Sequence, residues 1–499
     1  MQQTNSISFN FTGGIISPGH LKEILEIANA AKVSHISFGL RQQLIMDVAA
    51  KYFIEFGNSC KEKQLSFYKT QKEQPNIVSS YAATGIFTIE SWLKEGAYKD
   101  VFDLFNYKPL LKINICDSNQ HLVPLFNGHL NWISSPSQHF WYLYIRFPRT
   151  QTVYCWPELV YSNDIAMLSK KIEKLILEQQ EDYYSNEQAD GNMLFQQTKS
   201  MIEYVGKKID HDIILPEFSL PYYEGFNKAD NNYWLGIYSR DELFAVPFLI
   251  DICNICMETK IGQLYTTTWK SLIIKGIEGK HKKMWNYILG KYRINVRHAA
   301  NELNWQTEDN NEDGLIIKRH IIRHFDKEDV RTDGLIFAVK TKPSSSMFAS
   351  VIINRQGAGN SKRLKSKDRF DILYTPDFNP NSSELILFRE GVEKDHLGTY
   401  LVSLCKIFYE QGSRADLLLD YSNAQAVQKN TTDQSKLVYQ CKHCYTIYDE
   451  KIGDPDNNII AGTAFAELSS DYHCPLCEAP KEDLVKVQES VLGLQFLAG

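Results

Sequence analysis

The sequence lacks any excess of basic residues. Its 60 Asp and Glu outnumber its 54 Lys and Arg, which gives a net charge of −6 at pH 7. Because proteins that bind nucleic acid normally carry a basic surplus or a basic face, this balance argues against a nucleic-acid partner.

A long apolar run is also missing. The most apolar stretch, residues 244–256, is interrupted by Pro247, Asp251 and Asn254, whereas a membrane helix needs roughly 20 apolar residues. We therefore expect no membrane partner.

A secretory start is missing as well. The opening segment MQQTNSISFNF has neither a basic n-region nor an apolar h-region. Ten cysteines in 499 residues are too few for a disulfide framework, and without a signal peptide they fit a reducing compartment. The expected location is the cytoplasm. A hydrophobic content of 43% excludes wholesale disorder, and the length predicts roughly three domains at about 150 residues each.

Two segments 228 residues apart share one pattern of apolar residues. Residues 21–28 carry apolar side chains at i, i+3, i+4 and i+7, the stripe of a half-buried helix. Residues 249–256 repeat these four places. Each stripe is followed by two β-prone runs, residues 33–38 and 44–48 in the first copy, and residues 261–266 and 272–277 in the second. The repeat predicts helix, strand, turn and strand in the same order twice.

The later parts of the two copies also correspond. Both contain strand-like segments, at 139–147 and 334–340, and both close with a helix-like segment, beginning at Asp164 and Asp395. We therefore predict an α+β fold with two pseudo-repeated halves, followed by a small C-terminal domain. The predicted bounds are 1–205 and 206–420 for the two halves, 421–435 for a polar linker, 436–489 for the small domain and 490–499 for a tail.

The repeat decides how one cysteine pair is interpreted. Cys253 and Cys256 form a CxxC motif, which alone would fit metal or redox chemistry. In the first copy their places are taken by Leu25 and Ala28 on the apolar stripe. Free cysteine is a small hydrophobe that is readily buried. We therefore predict that both cysteines belong to the core.

The C-terminal region contains four cysteines with the spacing of a metal site. Cys441 and Cys444 are separated by two residues, as are Cys474 and Cys477, and 29 residues lie between the pairs. Each CxxC turn places two sulfurs on the same side of a tight knuckle. Two facing knuckles supply a tetrahedral cage of four sulfurs, which suits iron or zinc. We predict that these four cysteines bind one metal ion.

The residues around the cysteines resemble rubredoxin over essentially the whole segment from Val438 to Leu484. An aromatic residue, Tyr472, stands where rubredoxins commonly have tryptophan. The resemblance implies one iron that cycles between Fe3+ and Fe2+, with no open position for a substrate, and so an electron relay. The matching residues are Tyr439, Tyr448-Asp449, Gly453-Asp454-Pro455, Gly462-Thr463, Phe465, Leu468, Cys474-Pro475 and Lys481.

Two positions depart from that resemblance. The residue after each CxxC is commonly glycine in rubredoxins, because the knuckle backbone turns there; in this sequence the residues are Tyr445 and Glu478. A non-glycine residue with positive φ costs about 1–2 kcal/mol.

Residues 436–488 hold five lysines and nine carboxylates, a net charge of −4. An acidic surface of this kind suits brief docking on a basic partner, although it also serves solubility.

The duplicated part is similar to the ferredoxin-like half-domain of siroheme-dependent nitrite and sulfite reductases. The segment GGIISPGHLKEILEIANAAKVSHISFGLRQQLIMDV carries the resemblance, and Arg41 and Gln42 match a Thr-x-Arg-Gln signature in which Gly39 replaces the threonine. The second copy has threonines at 266–268 and Trp269 in the place of Arg41. The resemblance implies a duplicated reductase-like body.

One departure changes what that resemblance implies. The family holds a [4Fe–4S] cluster with four cysteines in the second half, and one thiolate bridges to siroheme iron. Between Met257 and Leu404 this chain has no cysteine. Since such clusters need thiolate ligands, we expect neither a [4Fe–4S] cluster nor the coupled siroheme centre.

An anion site in the body is still conceivable from the sequence. Arg41 is one candidate, and the loop of residues 355–369 is another, since its basic side chains could meet carboxylates. A solvated, flexible basic loop is the other interpretation of the same residues. The basic side chains of the loop are Arg355, Lys362, Arg363, Lys365, Lys367 and Arg369.

Three functions follow from these observations. The first is a one-electron carrier whose reductase-like body is a docking scaffold, serving nitrite, nitrate or sulfite assimilation with a reductase as redox partner. The second is a divergent siroheme-binding nitrite or sulfite reductase. The third is a non-redox interaction protein whose cysteines hold zinc. The sequence favours an electron carrier or oxidoreductase component over a stand-alone reductase.

Overall fold

The chain divides into two compact units, Met1–Glu410 and Gln411–Gly499, which we call the body and the C-terminal unit. Among the described residues no helix combines the length and the apolar character that crossing a membrane demands. The computed structural model describes residues 4–69, 74–87, 92–214, 218–229, 231–298, 300–342, 347–356, 368–382, 384–411, 437–444, 446–454, 457 and 459–488.

The body is a mixed α+β structure. Its strands, in chain order, are β1 (Thr4–Phe9), β2 (Ile15–Ile16), β3 (His35–Phe38), β4 (Leu44–Ala49), β5 (Tyr68–Lys69), β6 (Val78–Ser79), β7 (Ile113–Cys116), β8 (Leu130–Ser134), β9 (Phe140–Arg146), β10 (Val153–Cys155), β11 (Glu158–Tyr161), β12 (Gly206–Lys208), β13 (Gly225–Ala229), β14 (Asn232–Ile237), β15 (Phe244–Ala245), β16 (Leu264–Thr266), β17 (Leu272–Ile277), β18 (Trp305–Thr307), β19 (Phe337–Lys340), β20 (Val351–Arg355), β21 (Arg369–Tyr374) and β22 (Ile386–Glu393). Its helices are α1 (Pro18–Ala30), α2 (Phe53–Glu62), α3 (Glu95–Asp103), α4 (Ile165–Glu178), α5 (Gln180–Tyr183), α6 (Gly191–Met201), α7 (Val246–Glu258), α8 (Lys282–Lys291), α9 (Ala300–Leu303) and α10 (Glu312–Lys327), and residues 397–411 are also helical.

Two antiparallel five-stranded sheets of the body have matching orders. The first is β15-β3-β4-β1-β5 and the second is β13-β14-β17-β16-β2. Each sheet includes one strand from the other copy of the repeat. Phe244 of β15 pairs with Ile36 of β3, and Ile15 of β2 pairs with Tyr265 of β16. The two copies therefore exchange strands, which the sequence pattern did not reveal.

The two repeated helices pack against each other. Helix α1 is capped by Ser17, whose side-chain oxygen accepts a hydrogen bond from the backbone N–H of His20 at 3.2 Å, and it begins at Pro18, a position where proline is tolerated. Its predicted apolar stripe is fully buried, and the matching stripe of α7 joins the same core. Burying both stripes against one another removes two apolar helix faces from water.

The repeat extends to the backbone conformation. Three pairs of non-glycine residues with left-handed φ values between 55° and 61° recur 228 or 229 positions apart. A left-handed residue is rare outside glycine, so the same turn geometry at the same place in both copies is independent evidence of duplication. The pairs are Lys32 with Lys260, Gln42 with Lys270, and Gln64 with Arg293.

Two mixed sheets complete the body, and they share one topology. The first has the order β12-β11-β9-β8-β7-β6, with β10 also paired to β9, and the second has the order β18-β19-β20-β21-β22. In each sheet the three earliest strands are parallel and the later strands are antiparallel. Helix α4 follows β11 of the first sheet, and the helix of residues 397–411 follows β22 of the second.

The predicted α+β fold with two pseudo-repeated halves is confirmed. The strands and helices expected around residues 21–48, 139–147, 249–277 and 334–340 are present. The bounds predicted for the two halves stay a prediction. Strand β12, which begins at residue 206 and so falls in the predicted second half, pairs with β11 of the first mixed sheet. The predicted linker, 421–435, and tail, 490–499, lie outside the described residues.

The CxxC pair of the body is part of the core, as predicted. Cys253 and Cys256 have no exposed side-chain surface and lie on the buried face of α7. Burial raises the pKa of the Cys253 thiol to about 12. A thiol that stays protonated at neutral pH is a poor nucleophile and a poor metal ligand, so this pair is a packing element.

The C-terminal unit is a small three-stranded sheet with long turns. Its strands β23 (Leu437–Cys441), β24 (Ile447–Tyr448) and β25 (Leu484–Gln488) have the order β24-β23-β25 and are antiparallel. Its core is aromatic: Tyr439 stacks on Phe465, with ring centroids 3.8 Å apart, and Tyr448 lies 5.8 Å from the same ring. This core lies against the cysteines.

Candidate metal centre

The first cysteine pair lies where β23 ends. Cys441 is the last residue of that strand, and its backbone N–H donates to the carbonyl of Thr446 at 2.9 Å. This bond closes a tight loop around residues 442–444. The β23 strand also pairs with β25, in which Leu484 lies opposite Cys441. The first knuckle is thus held by the sheet itself.

The second cysteine pair forms an equivalent loop. The N–H of Glu478 donates to the carbonyl of Cys474 at 2.9 Å, and the N–H of Cys474 donates to the carbonyl of Ala479 at 2.8 Å. A bridge between His473 and Pro480 continues the pairing. Both knuckles therefore present two sulfurs from a short hydrogen-bonded turn.

The structure brings the four predicted sulfurs together. The Sγ atoms of Cys441, Cys444, Cys474 and Cys477 all lie within 4.8 Å of one another. The Sγ atoms of Cys441 and Cys477 are 3.6 Å apart, and those of Cys444 and Cys474 are 3.4 Å apart. A metal with sulfur ligands at roughly 2.3 Å in a tetrahedron requires sulfur–sulfur edges of about 3.8 Å. The donor set and its size therefore fit one tetrahedral metal ion.

Burial of the sulfurs is uneven. Cys441 and Cys474 are buried, Cys444 is half-buried and Cys477 is exposed. Two ligands thus anchor the site in the aromatic core, while the other two lie towards solvent. Four protein sulfurs fill a tetrahedral shell, so such a site has no open position for a substrate.

Thr446 contacts one of the sulfurs. Its Oγ1 lies 3.1 Å from the Sγ of Cys444, and with Cys444 as a thiolate the hydroxyl is the donor. The Thr446 hydroxyl, followed by the Thr446 backbone N–H, lowers the pKa of Cys444 to about 6. A cysteine must be deprotonated to bind a metal. Sequence reasoning missed this contact; a hydroxyl residue two positions after a knuckle cysteine was the available clue.

Tyr472, which stands where rubredoxins commonly have tryptophan, forms a hydrogen bond through its hydroxyl group. Its ring is buried in the aromatic core, and its hydroxyl donates to Oδ2 of the buried carboxylate of Asp454 at 2.8 Å. The Nδ2 of Asn457 donates to the same oxygen at 2.8 Å. A buried carboxylate needs such donors, so the Tyr472 hydroxyl ties the second knuckle to the turn at Asp454.

The unusual residue after the second knuckle is in the left-handed conformation that the family's glycine would favour. Glu478 has φ 57° and an exposed side chain. The turn therefore keeps its geometry and accepts the cost of a Cβ atom at positive φ. Tyr445, the equivalent residue of the first knuckle, lies outside the described residues.

Arg41, one of the residues proposed for an anion site in the body, has protein partners. Arg41 donates to the carbonyls of Asn76 and Ile113 and to the side-chain oxygen of Asn114, at 2.7–3.1 Å. Arg41 lies between β3 and β4 of a five-stranded sheet, and these bonds connect it to residues in and beside the first mixed sheet. Its guanidinium is therefore directed mainly at backbone carbonyls. These partners could not be predicted from the sequence.

The described ends of the basic loop are ion-paired. Arg355 contacts Asp313 at 2.9 Å and Asp368 at 2.7 Å, and Arg369 contacts Glu393 at 3.0 Å. Their charges are therefore compensated by neighbouring carboxylates. The other basic residues of the loop, Lys362, Arg363, Lys365 and Lys367, lie outside the described residues.

The body has a known structural counterpart. It is similar to a solved structure of the NirA protein of Mycobacterium tuberculosis, with a TM-score of 0.59, and the alignment covers 80% of this chain and 80% of that one. The sequence identity is 11%, so the comparison concerns the fold alone. The α+β fold predicted for the body agrees with this fold.

The C-terminal unit has close sequence relatives. The rubredoxin of Megasphaera elsdenii is 51% identical over 49 residues, 10% of this chain and 92% of that protein. The probable rubredoxin HupI of Bradyrhizobium diazoefficiens is 39% identical over 62 residues, 12% of this chain and 87% of that protein. The family model described as rubredoxin matches residues 438–484, which include all four cysteines. Through this C-terminal domain the chain belongs to the rubredoxin family.

Proposed function

We propose that this chain is a one-electron transfer protein in which Cys441, Cys444, Cys474 and Cys477 hold one iron. The observation that carries the proposal is the convergence of these four sulfurs within 4.8 Å in a rubredoxin domain. Soft thiolate donors in a tetrahedron suit iron or zinc, and the resemblance to rubredoxin favours iron. When bound, iron supplies a couple between Fe3+ and Fe2+.

The residues of the domain support fast electron transfer rather than catalysis. Four protein ligands occupy the tetrahedral shell, so no substrate reaches the metal. The two knuckles are closed by backbone hydrogen bonds of 2.8–2.9 Å, which hold the sulfurs in place while the charge of the site changes. The exposed Cys477 brings one ligand to the surface, where a partner can approach.

For the body we propose a docking scaffold without a [4Fe–4S] cluster and without siroheme. Two observations support this role: no cysteine occurs between Met257 and Leu404, and Arg41 is engaged by protein carbonyls. The fold shared with NirA and the resemblance to siroheme reductases indicate the setting, which we propose to be nitrite, nitrate or sulfite assimilation in the cytoplasm. The partner would be a reductase of that pathway.

Within this proposal the chain keeps the predicted organisation. Halves 1–205 and 206–420 form the scaffold, 421–435 is the linker, 436–489 is the relay domain and 490–499 is a tail. A polar tether of this length would hold the relay at high effective concentration near anything that the body binds.

Metal analysis and an absorbance spectrum of the full-length protein test the proposal. We expect one iron per chain, a red colour and bleaching on reduction, all lost in Cys441→Ser. A strong Soret-like band would instead favour the divergent siroheme reductase. A colourless protein loaded with zinc in its native host would overturn electron transfer and leave an interaction protein.

A further inference from the structure

An open groove of about 640 Å³ lies on the rubredoxin domain beside the second knuckle. Its lining includes buried Cys474, one of the four sulfur residues, so the groove lies beside the candidate metal centre. Apolar side chains also line it, among them Ile460, which is 78% exposed, and Pro475. A partner that covers the Ile460 side chain would remove this apolar surface from water.

The groove is also acidic. Glu467, Asp471 and Glu478 are exposed lining residues, and none of the described lining residues is lysine or arginine. None of these three carboxylates forms an ion pair among the described residues of the domain. An uncompensated group of carboxylates around an apolar surface attracts a basic partner and contributes specificity and on-rate.

The first knuckle is different in charge. There Asp483 is paired with Lys442 at 3.6 Å and with His443 at 3.0 Å, and the N–H of Lys442 also donates to the Asp483 carbonyl. The negative charge on that side is therefore compensated locally. The two knuckles, similar in backbone, offer a partner two different surfaces.

We propose that the redox partner docks in the groove beside the second knuckle, with a segment in which lysine or arginine flanks an aliphatic side chain. The basic groups would meet Glu467, Asp471 and Glu478, and the aliphatic group would cover Ile460. Electrons would then pass through the Cys474–Cys477 knuckle. This inference rests on the proposed function of the domain as an electron relay.

Reduction of cytochrome c, a basic haem protein, is a suitable probe. The reduced full-length protein is mixed with cytochrome c in a stopped-flow instrument, and the second-order rate constant is measured at several salt concentrations. Glu467→Gln is compared with Glu482→Gln, which removes another exposed carboxylate of the domain, outside the groove lining. Ile460→Ser is compared with Ile452→Ser, since Ile452 is 65% exposed and also lies outside the lining.

We expect Glu467→Gln to slow the reaction by about two- to fivefold at low salt, with a weaker salt dependence. Ile460→Ser should slow it without changing the salt dependence, because it removes apolar contact only. Both control variants should match the wild type. Equal rates for each groove variant and its control would overturn the docking surface while leaving the relay intact. A wild-type protein that lacks the iron band or does not react would overturn the proposed function itself, and the docking surface with it.

Discussion

Replacing Thr446 by valine removes the one side-chain hydroxyl found within hydrogen-bond distance of a knuckle sulfur in the described part of the domain. The Thr446 Oγ1 lies 3.1 Å from the Sγ of Cys444. Hydrogen bonds to the sulfurs help to set the reduction potential of such centres. The reduced site carries one more negative charge, so the donor stabilises it more than the oxidised site. Thr446→Val should therefore lower the reduction potential.

The size of the shift follows from the strength of the bond. Cys444 is only half-buried, so solvent competes for its sulfur. If the hydroxyl stabilises the reduced site two- to fivefold more than the oxidised site, the potential falls by about 20–40 mV, because a tenfold change corresponds to 59 mV for one electron. Protein-film voltammetry at constant pH measures this shift directly.

Two further variants separate the hydrogen bond from other effects. Thr446→Ser keeps a hydroxyl and should keep the wild-type potential. Thr463→Val removes a hydroxyl of the same domain that donates to the carbonyl of Ile460 at 2.8 Å rather than to a sulfur, and it should leave the potential unchanged. If Thr446→Val and Thr446→Ser shift the potential equally, or if neither shifts it, the hydroxyl does not tune the site and the reasoning is wrong.

Three other variants test the physical account of this chain. Glu478→Gly should raise the reduction potential in voltammetry by removing a negative charge near the site. It should also raise the thermal midpoint slightly, since relief of about 1–2 kcal/mol of strain exceeds the backbone entropy cost of glycine, about 0.5–1 kcal/mol. Tyr472→Phe should destabilise the rubredoxin domain by about 1–3 kcal/mol, because buried Asp454 loses a hydrogen bond; thermal loss of the visible band measures this. In the body, burial, followed by the charge of Lys112, lowers the pKa of His129 to about 3. The unfolded chain binds a proton there below about pH 6.5 and the folded body does not, so acidification from 6.5 towards 3 costs about 1.4 kcal/mol per pH unit, and His129→Asn should flatten this part of a pH–denaturation profile.

Each of the three has a contradicting result. Glu478→Gln removes the charge and keeps the strain, so a gain in midpoint equal to that of Glu478→Gly would contradict the backbone argument. An unchanged or lower potential in Glu478→Gly would contradict the electrostatic argument. In an Asp454→Ala background, Tyr472→Phe should cost clearly less than in the wild type, and an equal cost would mean that the two side chains act separately. An acid limb between pH 6.5 and 3 that is as steep in His129→Asn as in the wild type would contradict the argument from His129 burial.

Features that depend on local spacing could be predicted from the sequence. The CxxC pairs predicted the sulfur cluster because a two-residue separation in a tight turn leaves little freedom in where the sulfurs point. The apolar stripes of α1 and α7 could be predicted because a helix repeats every 3.6 residues. The assignment of Cys253 and Cys256 to the core followed from comparing the two copies, because apolar residues occupy the equivalent positions of the first copy.

Features that depend on distant parts of the chain could not be predicted. The partners of Arg41 are 35 to 73 positions away, and most are backbone carbonyls, which have no signature in the sequence. The bond between Tyr472 and Asp454 joins two turns whose separation is set by the whole domain. Thr446 is near Cys444 in sequence, yet its rotamer decides whether the hydroxyl meets the sulfur.

The exchange of strands explains why the body is one compact unit although its sequence is duplicated. Strand β2 of the first copy completes the sheet of the second, and β15 of the second completes the sheet of the first. At the same junction the Gln42 side chain donates to the carbonyl of Thr266, and the Thr266 hydroxyl donates to the carbonyl of Gln42. Separating the copies would leave two sheet edges unpaired, these polar groups unsatisfied and the apolar faces of α1 and α7 in water. Neither half therefore has a complete core of its own. The sequence of such a body can diverge only while each half still provides the strand and the apolar helix face that complete the other half.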